Sequence, residues 1–81
     1  MPHENIQPGS LVTDVETVLD EVTEVELTEI ESREYVYFMK QPKGMLFRLD
    51  YTGIYPPGSR TSKAFQPGAK IYSISISSYL Q

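Results

Sequence analysis

Apolar residues in this chain first recur at helical spacing and then at every second position, which predicts one helix followed by strands. Over residues 11–25, Leu11, Val12, Val15, Val18, Leu19, Val22 and Val25 fall within an arc of about 140° on a helical wheel. Thr13, Asp14, Glu16, Thr17, Asp20, Glu21 and Glu24 lie opposite. An amphipathic helix follows, and Thr13 with Glu16 fits a capping box at its start. A strand competes for the same residues, because Val and Thr lose rotamer freedom in a helix and Leu11, Thr13, Val15, Thr17 and Leu19 also alternate.

Strands are expected near residues 26–31, 35–40, 45–52 and 70–78. Val25 and Leu27 lead into the first, Ile30 blurs its alternation, and Glu31-Ser32-Arg33 is a polar break. Tyr35–Lys40 and Met45–Thr52 read as a hairpin across Gln41-Pro42-Lys43-Gly44, where proline presets φ and glycine accepts the closing position. On the second arm Met45, Phe47, Leu49 and Tyr51 point one way, and Leu46, Arg48, Asp50 and Thr52 the other. Residues 53–69, with three glycines and three prolines, are long for a structureless connection, so they either lack order or have a role.

Gln66-Pro67-Gly68 signals a type II turn before Lys70–Tyr79, where Tyr72, Ile74 and Ile76 alternate with Ser73, Ser75 and Ser77. Because Ile71–Ser78 holds no charge and no proline, it is expected to be a central strand or an edge closed by another subunit. Ile6-Gln7-Pro8-Gly9-Ser10-Leu11-Val12 echoes Phe65-Gln66-Pro67-Gly68-Ala69-Lys70-Ile71, an echo that turn chemistry explains better than duplication. The fold class is therefore α+β: one amphipathic helix packed on a roughly four-stranded antiparallel sheet, with a small all-β barrel as the alternative. One domain spans 1–81, residues 1–9 forming a flexible end docked at most through Ile6, and the expected core is Phe38, Phe47, Leu49, Tyr72, Ile74 and Ile76.

Charge adds what the pattern omits. Residues 1–34 carry ten of the eleven carboxylates with one base, Arg33, while residues 35–81 carry six of the seven bases and all nine aromatics. The two parts amount to −9 and +5 within a net −4. A net negative chain is repelled as a whole by nucleic acid and anionic lipid. No apolar run approaches the ~20 residues of a membrane span, and residues 1–10 show neither a basic cluster nor an apolar stretch, so a cytoplasmic protein without membrane contact is expected. With no cysteine, neither a disulfide nor a thiolate site can form.

Catalytic chemistry finds little footing. His3 stands alone beside Pro2, Glu24, Glu26, Glu29 and Glu31 lack the spacing of a calcium loop, and no glycine-rich phosphate loop occurs. Asp50, the one acid of the basic part, flanks Arg48 and reads as an ion-pair partner. No enzyme activity, cofactor, metal or catalytic residue is expected. The chain is instead expected to be a protein–protein interaction module whose acidic face, Asp14, Glu16, Asp20, Glu21 and Glu24, meets another protein of basic character. Self-association through the strand bearing Ile71, Ser73, Ser75 and Ser77 would give a homodimer. The alternative is a single-stranded nucleic-acid face built from Tyr35, Tyr37, Tyr51 and Tyr55 with Lys40, Lys43, Arg48, Arg60 and Lys63, aromatics offering stacking surfaces between cations. In a third arrangement the acidic segment simply lies against the basic sheet.

Overall fold

The computed structural model describes residues 6–29 and 31–76. Helix α1 (Val12–Leu19) is followed by strands β1 (Val22–Leu27), β2 (Glu34–Phe38), β3 (Met45–Leu49), β4 (Gly53–Ile54), β5 (Thr61–Ser62), β6 (Ala64–Phe65) and β7 (Ile71–Ile76). The chain is a small α+β fold, with a five-stranded antiparallel sheet in the order β5-β1-β2-β3-β7 and a two-stranded sheet β4-β6. Among the described residues there is no closed barrel. Among the described residues no helix is long and apolar enough to cross a membrane.

The segment 11–25 is helix and strand in succession. The helix stops at Leu19 because Asp20 takes a left-handed φ of 67°. The Leu19 carbonyl then accepts from the Lys40 amide at 2.9 Å, on the far side of the sheet hairpin. The expected capping box does not form: Leu11 is the N-cap without a side-chain bond, and Glu16 Oε2 instead accepts the Val22 amide at 2.9 Å, stitching the helix to β1. Val22 and Val25, three residues apart, both reach the core although a regular strand would place them on opposite faces. A bulge resolves the conflict: Val22 pairs with Phe38 and Glu24 with Tyr37, so Thr23 is the extra residue. A helical spacing of valines thereby suits a strand.

The same device operates in β7. Leu49 pairs with Ile71 and Arg48 with Ser73, leaving Tyr72 as the extra residue, while Ile71 and Ile74 both face inward. One row across the sheet, Val25, Val36, Phe47 and Ile74, packs with Val12, Val15 and Leu19 of the helix. Phe38 meets Phe47 edge-on, ring centres 5.4 Å apart. Of the expected core, Phe38, Phe47 and Leu49 are buried and Ile74 is partly so, but Tyr72 (55% exposed) and Ile76 (77%) are not. The bulge turns Tyr72 out, and Ile76 lies on the outermost strand.

The expected turn at Gln66–Gly68 is present, with Gly68 at φ 82°, whereas the β2–β3 turn falls one residue later than expected: the Met45 amide donates to Pro42 O at 3.3 Å, and Gly44, at φ 81°, is its third residue and not its last. The Ala69 amide donates to Gln66 O at 3.1 Å, and in the echoing segment the Ser10 amide donates to Gln7 O at 2.9 Å. These two segments pair with one another, Leu11 bridging Lys70 in antiparallel sense. The echo thus reflects the same turn used twice, once before β7 and once, through the bridge residue Leu11, before helix α1. Of residues 1–9, Gln7–Gly9 contribute to that turn and Ile6 packs on the core, while residues 1–5 lie outside the described residues.

Glu34 is the one buried charged residue among those described. It stands between Leu27 and Leu49 on the core face, and its carboxylate accepts from the Thr52 amide (2.7 Å), the Gly53 amide (2.9 Å) and the Tyr55 hydroxyl (2.6 Å). Those bonds explain why β3 ends at Leu49 and not at Thr52: Tyr51 adopts φ 59° and the chain bends to bring two amides onto the acid. Tyr51 consequently leaves the core face it would occupy in a longer strand, is 54% exposed, and donates to Ser32 O at 2.5 Å. A Cβ on Gly53 would lie 2.6 Å from both Glu34 Oε2 and Tyr55 Oη, so only glycine fits there.

Phe47→Ala should cost about 3–5 kcal/mol in urea denaturation, a large share of the total for a domain this small, whereas Ile76→Ala should change stability by less than about 0.5 kcal/mol. Burial, and then the hydrogen bond and charge of Glu34, raise the Tyr55 phenol well above its ordinary range. A phenol that ionises later in the folded than in the unfolded chain stabilises the fold below about pH 10 and loses that contribution as pH rises further. The urea midpoint should therefore fall above about pH 10, and Tyr55→Phe should flatten that fall while lowering the midpoint at neutral pH. Tyr37, raised by burial and then by Glu26, supplies a second, smaller alkaline contribution that Tyr37→Phe removes.

Candidate interaction surface

The two edges of the main sheet differ in length and charge. On the β1 side the edge is finished by β5, only two residues long, with Ser62 opposite Val25 and Thr61 opposite Glu26. Arg60, whose carbonyl accepts the Leu27 amide at 2.8 Å, and Lys63 bracket this short strand, and both are exposed. Short charged edges resist pairing with another chain. The stretch 53–69 therefore has a role, supplying β4, β5 and β6 and covering Val25–Leu27 of the β1 edge.

The other edge is β7, six residues without a charge. It is an outermost strand, not a central one, with β3 along one side. On its other side Ile71 alone is met: the Gly9 amide donates to Ile71 O at 2.7 Å and the Ile71 amide to Ser10 O at 2.8 Å. The turn at Gln7-Pro8-Gly9-Ser10 then carries the chain away, so among the described residues Tyr72–Ile76 have no strand on that side. Of the strand residues singled out from the sequence, Ile71 is buried, Ser73 half-buried and Ser75 exposed, while Ser77 lies outside the described residues.

The outer face of the sheet, away from the helix, carries a row of Thr61, Glu26, Tyr35, Arg48 and Ser73, with Glu24 paired to Tyr37 and Leu46 to Ser75 beside it. Tyr35, Tyr37 and Arg48 are half-buried there. The Tyr37 hydroxyl donates to Glu26 Oε1 at 3.4 Å, and the Arg48 guanidinium lies over the Tyr72 ring, 5.2 Å from its centre. Of the nine residues considered for nucleic acid, only these three share this face of the sheet. Tyr55 is on the opposite side, packed against the core and bonded to Glu34, because that acid draws its loop inward. Tyr51 sits at the Ser32 turn, Lys40 and Lys43 lie in and beside the β2–β3 turn, and Arg60 and Lys63 flank β5. Glu24 and Glu26 stand directly beside Tyr37 and Tyr35, placing negative charge where a phosphate backbone would run.

The five acids read as one face are also dispersed. Asp14 and Glu16 are on the helix, Asp20 and Glu21 in the turn after it, and Glu24 on the outer face of β1, because the helix is only eight residues long. Among the described residues, acidic and basic parts form ion pairs at two points, Lys40–Asp20 and Arg60–Glu29, each 3.8 Å apart and exposed. An open cleft of about 510 Å³ beside the β1–β2 turn is lined by Leu27, Thr28, Tyr35, Arg33, Arg60 and Glu29. Arg33, its pKa raised by the Tyr35 side chain and by Glu31, pairs with Glu31 at 3.3 Å. Asp50 follows the end of β3 on the exposed surface and not beside Arg48 on the strand.

Sequence reasoning passed over Glu34 and Gly53. Glu34 could be found by phase, since it alternates with Val36 and Phe38 on β2 and so falls on the apolar face. Gly53 carries no such signal, because the need for it arises from an acid nineteen residues earlier.

Exposed pairs at these separations contribute little, so Lys40→Ala and Arg60→Ala should each shift stability by less than about 1 kcal/mol in urea denaturation, with the effect vanishing at high salt. Comparison with known proteins returns no significant match to this chain, whether among family models, curated proteins or solved structures.

Proposed function

We propose that this chain is a non-enzymatic protein-interaction module that acts by accepting an added strand along β7. The supporting observation is the contrast between its two sheet edges: one short and bracketed by Arg60 and Lys63, the other long, uncharged and one-sided. Open backbone donors and acceptors along an edge give affinity to any extended segment, and alternate side chains give selectivity. Ile74 on the core face and Ser73 and Ser75 on the other offer an incoming strand one apolar and one polar side. Apart from the strand, the acids Asp14, Glu16, Asp20, Glu21 and Glu24 offer a second contact to another protein of basic character. Cytoplasmic residence belongs to the same proposal, resting on the missing cysteines.

The test is a labelled, lysine-flanked peptide carrying the Ile71–Ile76 sequence, titrated with the full chain and followed by fluorescence anisotropy. Saturable binding is expected, weakened at least tenfold by Ser75→Lys, which puts a charge on an exposed edge position. Absence of binding, or equal binding by the folded Ser75→Lys chain, would refute strand addition at β7. Labelled oligonucleotides at low salt should show no binding, since that condition favours any electrostatic contact.

A further inference from the structure

We infer that the strand received by β7 is the β7 of a second copy of this chain, giving an antiparallel two-fold dimer whose sheets join into one of ten strands. This rests on strand addition at β7 and adds the identity of the partner.

In a two-fold interface the same patch serves both copies, so any charge on it is brought close to its own kind. Ile71–Ile76 carries none. Pairing centred on Ile74 sets that residue against its counterpart on the core faces and Ser73 against Ser75 of the second copy on the outer faces. Each face of the joined sheet therefore keeps its character, apolar over the core and polar outside. Ile76, 77% exposed in the single chain, gains apolar neighbours where the two cores meet.

Repulsion between the two acidic β1 strands is small despite the net −4. The acidic strand β1 is three places from β7 in the sheet, so in the dimer the two β1 strands stand seven strand spacings apart, about 34 Å. That distance is about four Debye lengths at physiological ionic strength. The strand next to β7 in each copy is β3, whose one charged residue is Arg48, and its guanidinium rests on Tyr72.

The N-terminal turn defines how much edge is offered. Gly9 and Ser10 occupy the backbone of Ile71, and continuing in line they would run along Tyr72–Ile76. The turn at Pro8 diverts them. Five residues of edge bury less than the ~800 Å² per partner of a standard interface, so the dissociation constant should be weak, on the order of 10 μM.

Sedimentation velocity on the full chain across two decades of concentration around that value should show a monomer passing to a dimer and stopping there. Ser75→Lys and, independently, Ile76→Lys should raise the dissociation constant at least tenfold while leaving the urea midpoint nearly unchanged, as both positions are exposed. A monomer throughout, a series of larger polymers, or dimerisation indifferent to both substitutions would each overturn the inference. A monomer that still binds the Ile71–Ile76 peptide would overturn the second copy as partner and leave strand addition standing; a monomer that binds no peptide would remove both.

Discussion

The bulges at Thr23 and Tyr72 decide what this sheet can bury. A sheet with a helix on one side has one face for its core, and a chain without disulfides must fill that face with side chains from every strand. In β1 and in β7 the inward-facing residues are three apart, Val22 and Val25, Ile71 and Ile74, a spacing that an unbroken strand would split between core and solvent. One extra residue in each strand brings both members inside. The helix then needs only three buried residues, Val12, Val15 and Leu19, to cover the Val25–Val36–Phe47 row.

Glu34 does for the loops what the bulges do for the strands. An acid on the core face is costly unless its oxygens are satisfied, and here three donors converge on it from Thr52, Gly53 and Tyr55. Meeting that demand ends β3, turns Tyr51 outward and pins the start of the 53–69 stretch, from which β5 reaches back to finish the β1 edge. The interior acid and the protected edge are thus linked through one stretch of chain, while among the described residues no comparable stretch covers β7. Instead, the Pro8 turn leads the N-terminal segment off that edge after a single residue.

Charge separation along the chain becomes an arrangement across the sheet. The acids of the first part lie on the helix, which starts beside β7 through the Leu11–Lys70 bridge, on the turn after it and on β1, while β7 itself is neutral. Two exposed ion pairs join acidic and basic parts without fusing them into one electrostatic unit.

The sequence by itself determined the α+β class, the β2–β3 hairpin, the proline–glycine turns and the neutrality of β7, because each depends on residues close together in the chain. It also carried both readings of residues 11–25, and each holds for part of the segment, helix to Leu19 and strand from Val22. Tertiary structure alone decided where that division falls, which apolar residues of β7 face inward, why Gly53 must be glycine, and that β7 is an edge. The physical reason is the same in every case. Bulges, a buried carboxylate and strand order are settled by partners beyond the reach of local periodicity, which holds no record of them.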